Sequence, residues 1–251
     1  MARSFNGSTQ YGSATSGVSA LPASLSTWFY LLASPSSFAT VLALDDGSTG
    51  NNRFQIGVNS GPTAFAQTFH SGTSNLLSDS SGSLFLSTWY HLAATADGSS
   101  LIVYRNGTST SASNNLSPIL SNVELASVNN AGSRVNYVNA YVAESAAWNV
   151  VLTASEIKAL ASGILPHCIR PASLQGYWPL WGLQTPEPCM APANPAFGMN
   201  LFNAPPQGTH APVTPFTPKR QGQYAVPTLQ LPPGAWGVKI FAPQPPASSF
   251  D

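Results

Sequence analysis

Charge is what this sequence has least of. Nine acidic and nine basic side chains make up 7% of 251 residues and cancel to a formal net charge of zero, where soluble domains carry roughly 25% charged residues. Nucleic acid binding, which needs clustered Lys and Arg to replace counterions, is excluded, because Lys219-Arg220 is the only adjacent basic pair. Two cysteines are too few for a disulfide scaffold. No apolar run reaches the roughly 18 residues of a membrane span, so no membrane insertion is expected. Met1 to Ser8 lacks the apolar stretch of a secretory leader, and the expected product is cytosolic. Repeats of 20 to 50 residues are absent too, against solenoids and propellers. Ser, Thr, Asn and Gly remain, giving a polar, nearly uncharged surface with little electrostatic defence against self-association; a homo-oligomer is expected.

The most informative stretch of what is present runs from Ser87 to Gly107. Two β-rich runs, Trp89-Tyr90-His91-Leu92-Ala93-Ala94 and Leu101-Ile102-Val103-Tyr104-Arg105, are joined at Asp97-Gly98, and the second stops at Asn106-Gly107. Both dipeptides favour the positive φ of tight hairpin turns. Further short runs recur at sandwich-like spacing: 26–32, 39–44, 53–58, 64–69, 83–94, 123–125 and 136–148. One helix is expected after Thr153, an N-cap with Glu156 in capping-box position, Ile157, Leu160 and Ala161 on one face, and Gly163 as stop.

The hairpin resembles the central hairpin of laminin-G-like and pentraxin-like domains, in which a Trp-(Tyr/His)-His-(Val/Leu)-Ala strand precedes an Asp-Gly turn and a Tyr-x-(Asn/Asp)-Gly strand end. Phe5-Asn6-Gly7-Ser8 with Tyr11 is similar to the family's first strand, Trp148-Asn149 followed by Leu152-Thr153 and Glu156-Ile157 to its late signature, and Leu174 to Leu180 to its closing strand. The resemblance covers residues 4–182. It implies an all-β fold, a concanavalin A-like antiparallel β-sandwich or jelly roll, with one short helix.

Proline divides the chain. Four of 22 prolines precede residue 166, so residues 1–182 are expected as the sandwich and 183–251 as a proline-rich, extended C-terminal arm. Tyr224, Leu229, Leu231, Trp236, Ile240 and Phe241 supply the arm with apolar anchors for a partner. Cys168 and Cys189 flank the closing strand and are a candidate disulfide.

Candidate sites are few. Glycan hydrolases of this fold class need two carboxylates on one strand, yet Asp45-Asp46 is the only adjacent acidic pair, and strand neighbours point to opposite faces; no catalytic residues are expected. His91, inside the hairpin motif, reads as a hydrogen-bonded structural histidine, and Trp89 as a core anchor. Some relatives bind calcium, for which Asp45, Asp46 and Asn52 supply hard oxygens, as would an ordinary polar turn. No other cofactor is expected. Tyr137 and Tyr141, with Asn136 and Asn139, have the residue types of a metal-free glycan site, the tyrosines sharing one face by strand alternation; inward packing explains them equally. Two readings of function follow. One is a non-enzymatic structural protein of the virion, such as a bacteriophage capsid decoration or cement protein, whose arm clasps capsid or other virion proteins. The alternative is a lectin-like module for surface glycans, with or without calcium.

Overall fold

Strands form along the β-rich runs, and in the computed structural model, which describes residues 1–182 and 184–213, they stack as two antiparallel sheets. In chain order they are β1 (Ala2–Asn6), β2 (Tyr11–Thr15), β3 (Ala23–Leu31), β4 (Ala39–Asp45), β5 (Asn52–Val58), β6 (Ala64–His70), β7 (Thr73–Ser78), β8 (Trp89–Ala96) and β9 (Ser100–Arg105). There follow β10 (Thr108–Ser113), β11 (Asn122–Leu125), β12 (Val128–Asn130), β13 (Ser133–Val135), β14 (Asn139–Trp148), β15 (Leu174–Trp178), β16 (Asn200–Phe202) and β17 (Gln207–Gly208). One sheet runs β10, β9, β8, β3, β14, β1, β17, with β15 also on β14; the other runs β16, β2, β11, β4, β5, β6, β7. The single α-helix among the described residues, α1 (Ala154–Ala161), has the expected capping box of Thr153 and Glu156 and buries Ile157 and Leu160.

The core between the sheets holds Phe5, Leu25, Phe29, Phe54, Ile56 and Leu92, all fully buried. Each such side chain contributes about 1.5–3 kcal/mol relative to exposure. Trp148 and Trp178 are buried as well, and their indole N–H groups donate to the carbonyls of Ile169 and Phe197 at 2.9 and 2.8 Å. The outer face of the first sheet is covered too, which is why β3 and β14 are buried almost throughout. Trp28 and Ala143 pack there with Ala211, flanked by Trp89, Tyr141 and Val213. Trp89 is therefore half-buried against Tyr30 on this outer face, not inside the sandwich; Tyr90 is the hairpin's inward ring.

The hairpin reads true with two changes. Asn106 and Gly107 take φ of 50° and 82° and form the β9–β10 turn, so a further strand follows where the run was expected to end. At the β8–β9 turn the Asp97 carboxylate accepts from the backbone of Ser99 and Ser100, both at 2.7 Å, and Gly98 is not at positive φ.

The expected boundary after residue 182 moves. β16 pairs with β2 and β17 with β1, so residues within 184–213 add an edge strand to each sheet. Arg3 reaches back to bind Glu187 at 2.8 Å and the Pro205 carbonyl at 2.8 Å. Cys168 at the surface and Cys189 in the interior are both free thiols, and the candidate disulfide is not formed. The arm anchors Tyr224, Leu229, Leu231, Trp236, Ile240 and Phe241 lie outside the described residues. No helix among the described residues is long and apolar enough to cross a membrane.

Candidate functional site

A cleft of about 410 Å³ opens at one end of the sandwich, where the end of β1, the loop 33–38 between β3 and β4, and the chain entering β14 converge. Backbone bonds fix this rim. The Asn139 carbonyl accepts from the Leu32 N–H at 2.9 Å, and the Asn136 carbonyl from Thr40 at 2.8 Å. Asn6 accepts from the N–H groups of Ser8, Thr9 and Gln10 and so holds the turn that carries Gly7. Gly7 has φ +72°, and a Cβ there would sit 2.9 Å from the Asn139 Cβ, so only glycine lets the turn press this close.

Two aromatic rings face this polar rim. Phe38 is 41% exposed and rests edge-on against Phe65, with ring centroids 5.3 Å apart. Tyr137 is half-buried and meets Tyr11 edge-on at 6.5 Å. Tyr11 is itself clamped, stacked on Phe202 of β16 at 4.4 Å and covered on its other side by the Arg134 guanidinium at 4.5 Å. Arg134 also pairs with the buried Glu124. Tyr11 is thus a buttress for Tyr137. Burial, then the neighbouring Tyr11, push the Tyr137 hydroxyl above its ordinary pKa, so it stays a neutral donor and acceptor.

Of the glycan candidates, Tyr137 and Asn139 line the cleft and Tyr141 does not. The expected alternation holds, with Val138, Ala140 and Val142 in the core and Tyr137, Asn139 and Tyr141 half-buried on the opposite face, but Tyr141 lies farther along β14. Tyr141 instead stacks on Tyr30 at 5.3 Å on the outer face of the first sheet. Asn136 lines the cleft as well, while sequence reasoning missed Phe38 and the loop serines Ser34, Ser36 and Ser37. The readable signal was Ser34-Pro35-Ser36-Ser37-Phe38, an aromatic directly after a proline and serine turn between two strand runs.

Asp45, Asp46 and Asn52 do come together, as a self-contained loop. The Asp46 carboxylate accepts from the backbone of Ser48, Thr49 and Gly50, from the Thr49 hydroxyl and from the Asn52 amide. Asn52 turns its Oδ1 to His70 Nδ1 at 2.6 Å and to the Ile119 N–H. Asp45 points inward, accepting from Gly47 and Asn129. Burial raises its pKa to about 6, while the hydrogen bonds on Asp46 outweigh its burial and lower it to about 2. Donors occupy the oxygens a calcium ion needs, so these residues do not fit that ion; no cluster of three His, Cys, Asp or Glu suited to a metal occurs among the described residues.

His91 is fully buried on the outer face beneath α1, with Nε2 2.9 Å from the Ser26 hydroxyl, and burial lowers its pKa to about 3. It is a neutral structural histidine. The described carboxylates are likewise engaged: Asp79 with Arg105, Glu144 with the Tyr177 hydroxyl, Glu156 with Arg170, Glu187 with Arg3, Glu124 with Arg134, and Asp97 in its turn.

The family model described as the Concanavalin A-like lectin/glucanases superfamily matches residues 6–158. Among curated proteins, none matches the chain. The fold is shared with a heptameric SAP-like pentraxin from Limulus polyphemus at 14% identity and TM-score 0.52, over 65% of this chain and 82% of that one. A protein assigned to carbohydrate binding from Bacteroides ovatus superposes with TM-score 0.59 at 14% identity, over 84% of this chain and 62% of that one. The enzymatically active domain of tailspike protein 2 from bacteriophage CBA120 gives TM-score 0.50 at 16% identity, over 67% of this chain and 28% of that one.

Proposed function

The chain belongs to the Concanavalin A-like lectin/glucanases superfamily, and from that membership we propose that it is a non-catalytic, lectin-like module that binds glycans in the cleft between loop 33–38 and the start of β14. The observation that carries this reading is the pairing of exposed Phe38 and half-buried Tyr137 with the amides and hydroxyls of Asn136, Asn139 and the loop serines. Sugars present apolar ring faces edged by hydroxyls, and a concave wall of aromatic and neutral polar groups complements both. The rim is held by backbone bonds, so it is organised before any ligand arrives. The assignment of the Bacteroides protein to carbohydrate binding supports the reading through the shared fold.

Catalysis is not proposed. Glycoside hydrolysis uses two carboxyl groups flanking the bond, and among the described residues none that lines the cleft is acidic. The virion reading draws on the low charge and on arm anchors that lie outside the described residues, and neither favours it over glycan binding. The expected self-association would multiply weak sugar contacts through avidity; light scattering on the full chain tests it.

The direct test is calorimetric titration of the full-length protein with glycans selected on an array, repeated with Tyr137→Ala. Binding that weakens by about tenfold or more supports the cleft, since each factor of ten is about 1.4 kcal/mol. Unchanged binding would move the site elsewhere.

A further inference from the structure

We infer that the ligand of this cleft is an electrically neutral glycan bound without a metal ion, which rests on the glycan-binding reading above. Among the described residues, the lining contains no Asp, Glu, Lys, Arg or His. Its polar groups are amides and hydroxyls, each able to serve a sugar hydroxyl, and its apolar groups are the Phe38 and Tyr137 rings.

An acidic sugar does not suit such a wall. A sialic acid, uronate or sulfate ester is fully ionised at neutral pH, and drawing it from water into a cleft of neutral groups costs several kcal/mol unless a cation meets it. Arginine is the side chain that meets carboxylates and sulfates, through its planar fork of donors. The arginine nearest the cleft in sequence, Arg134, is held elsewhere: it pairs with Glu124, whose side chain is fully buried, and lies 4.5 Å over the Tyr11 ring. Swinging it toward a ligand would leave the Glu124 carboxylate without its partner and uncover the buttress behind Tyr137.

Metal-bridged binding fails on the same wall for the opposite reason. Calcium takes six to eight oxygens, anionic carboxylates prominent among them, and among the described residues the cleft supplies no carboxylate. The one loop that gathers carboxylates, Asp45 to Asn52, has its oxygens filled by N–H and O–H donors.

The experiment is an array of neutral oligosaccharides built from hexoses, N-acetylhexosamines and pentoses beside sialylated, uronate and sulfated ones, probed with the full chain in calcium and in excess EDTA. Calorimetry then follows on wild type, Tyr137→Ala and the more exposed Phe38→Ser. The expected result is binding of neutral glycans alone, within about twofold in EDTA and in high salt, and weakened about tenfold by either substitution. Acidic glycans that bind and lose affinity in the two variants, or neutral binding abolished by EDTA, would overturn the inference while leaving the glycan reading intact. No glycan bound at all, or binding indifferent to both substitutions, would overturn the reading itself. Phe38→Ser keeps the test decisive if Tyr137→Ala folds poorly.

Discussion

The loop from Asp45 to Asn52 and the cleft between residues 33–38 and 136–139 are built from the same short polar residues and differ in what their polar atoms face. In the loop, side chains hold the backbone: Asp46 accepts from three successive N–H groups, and Asn52 bridges Asp46, His70 and Ile119. At the cleft Asn6 holds its turn in the same way, but the wall formed by Asn136 and Asn139 is held by its backbone, through their carbonyls, and both residues line the open space. A carboxylate or amide occupied by its own turn is architecture; one whose turn is secured by backbone bonds is free for a ligand. Residue type alone does not separate the two.

The widest separation between them should come from removing the C-terminal segment. Truncation after Gly182 deletes Phe202, which stacks behind Tyr11 and so behind Tyr137, together with buried Met199 and the Arg3–Glu187 pair. Burial of Met199 alone contributes about 1.5–3 kcal/mol, and the total loss is expected to be several kcal/mol, with glycan binding lost. Truncation after Phe216, where the first compact unit ends, should leave both intact. Chemical denaturation and titration of the two truncations would settle this; equal stability would place the true boundary back at residue 182.

Asp46→Ala probes the loop by itself. Losing the acceptor of the turn should cost about 2 kcal/mol, in the range for hydrogen bonds to a charged group, with sugar affinity unchanged. Because Asp46 titrates near 2 in the fold, below its value of about 3.9 in an unfolded chain, its contribution is full above pH 4 and lost as pH falls toward 2. The gap between wild type and variant should close over that window. A loss of sugar binding at neutral pH would tie the loop to the cleft and break the comparison.

Gly7→Ala reaches the cleft through the backbone. An L-residue at φ +72° costs about 1–2 kcal/mol, and the new methyl pushes on Asn139, so affinity should fall together with stability. Asp46→Ala moves stability alone, and that difference between the two variants is the sharpest form of the contrast.

How much of this was legible follows from the same distinction. The sandwich was readable because its β-rich runs are separated by turn residues: the runs 39–44, 53–58 and 64–69 became β4, β5 and β6 within a residue at each end, and the capping box of Thr153 and Glu156 formed as expected. The edge strands β7 and β10 were not, since Thr108 to Ser113 is nearly all Ser and Thr and mostly exposed, with no apolar period to detect. β16 and β17 hid in proline-rich sequence, because short edge strands tolerate neighbours that a central strand would not. At the site, Tyr137 and Asn139 were legible by residue type. Phe38 was not, because only the backbone bonds from Leu32 and Thr40 to Asn139 and Asn136 bring loop 33–38 beside it.

The smallest expected effect is none, and it is the most discriminating. With no Asp, Glu, Lys, Arg or His among the described residues of its lining and the Tyr137 hydroxyl raised above its ordinary range, these residues offer nothing that titrates between pH 5 and 9, and sugar affinity should be flat there. Stability should not be. Burial raises Asp45 to about 6 and Glu124 to about 7, so in the fold they keep protons that the unfolded chain has released; their contribution is full below about pH 4 and is lost as pH rises through 6 and 7. His91, lowered to about 3 by burial, acts in the other direction: the unfolded chain takes up its proton near 6.5, so stability declines as pH falls below that value. Denaturation midpoints that move with pH while the Kd stays constant would show that the charged architecture and the binding surface are separate. An affinity that follows the midpoints would show that a buried carboxylate, Glu124 through Arg134 and Tyr11 being the connected route, governs how Tyr137 meets the sugar.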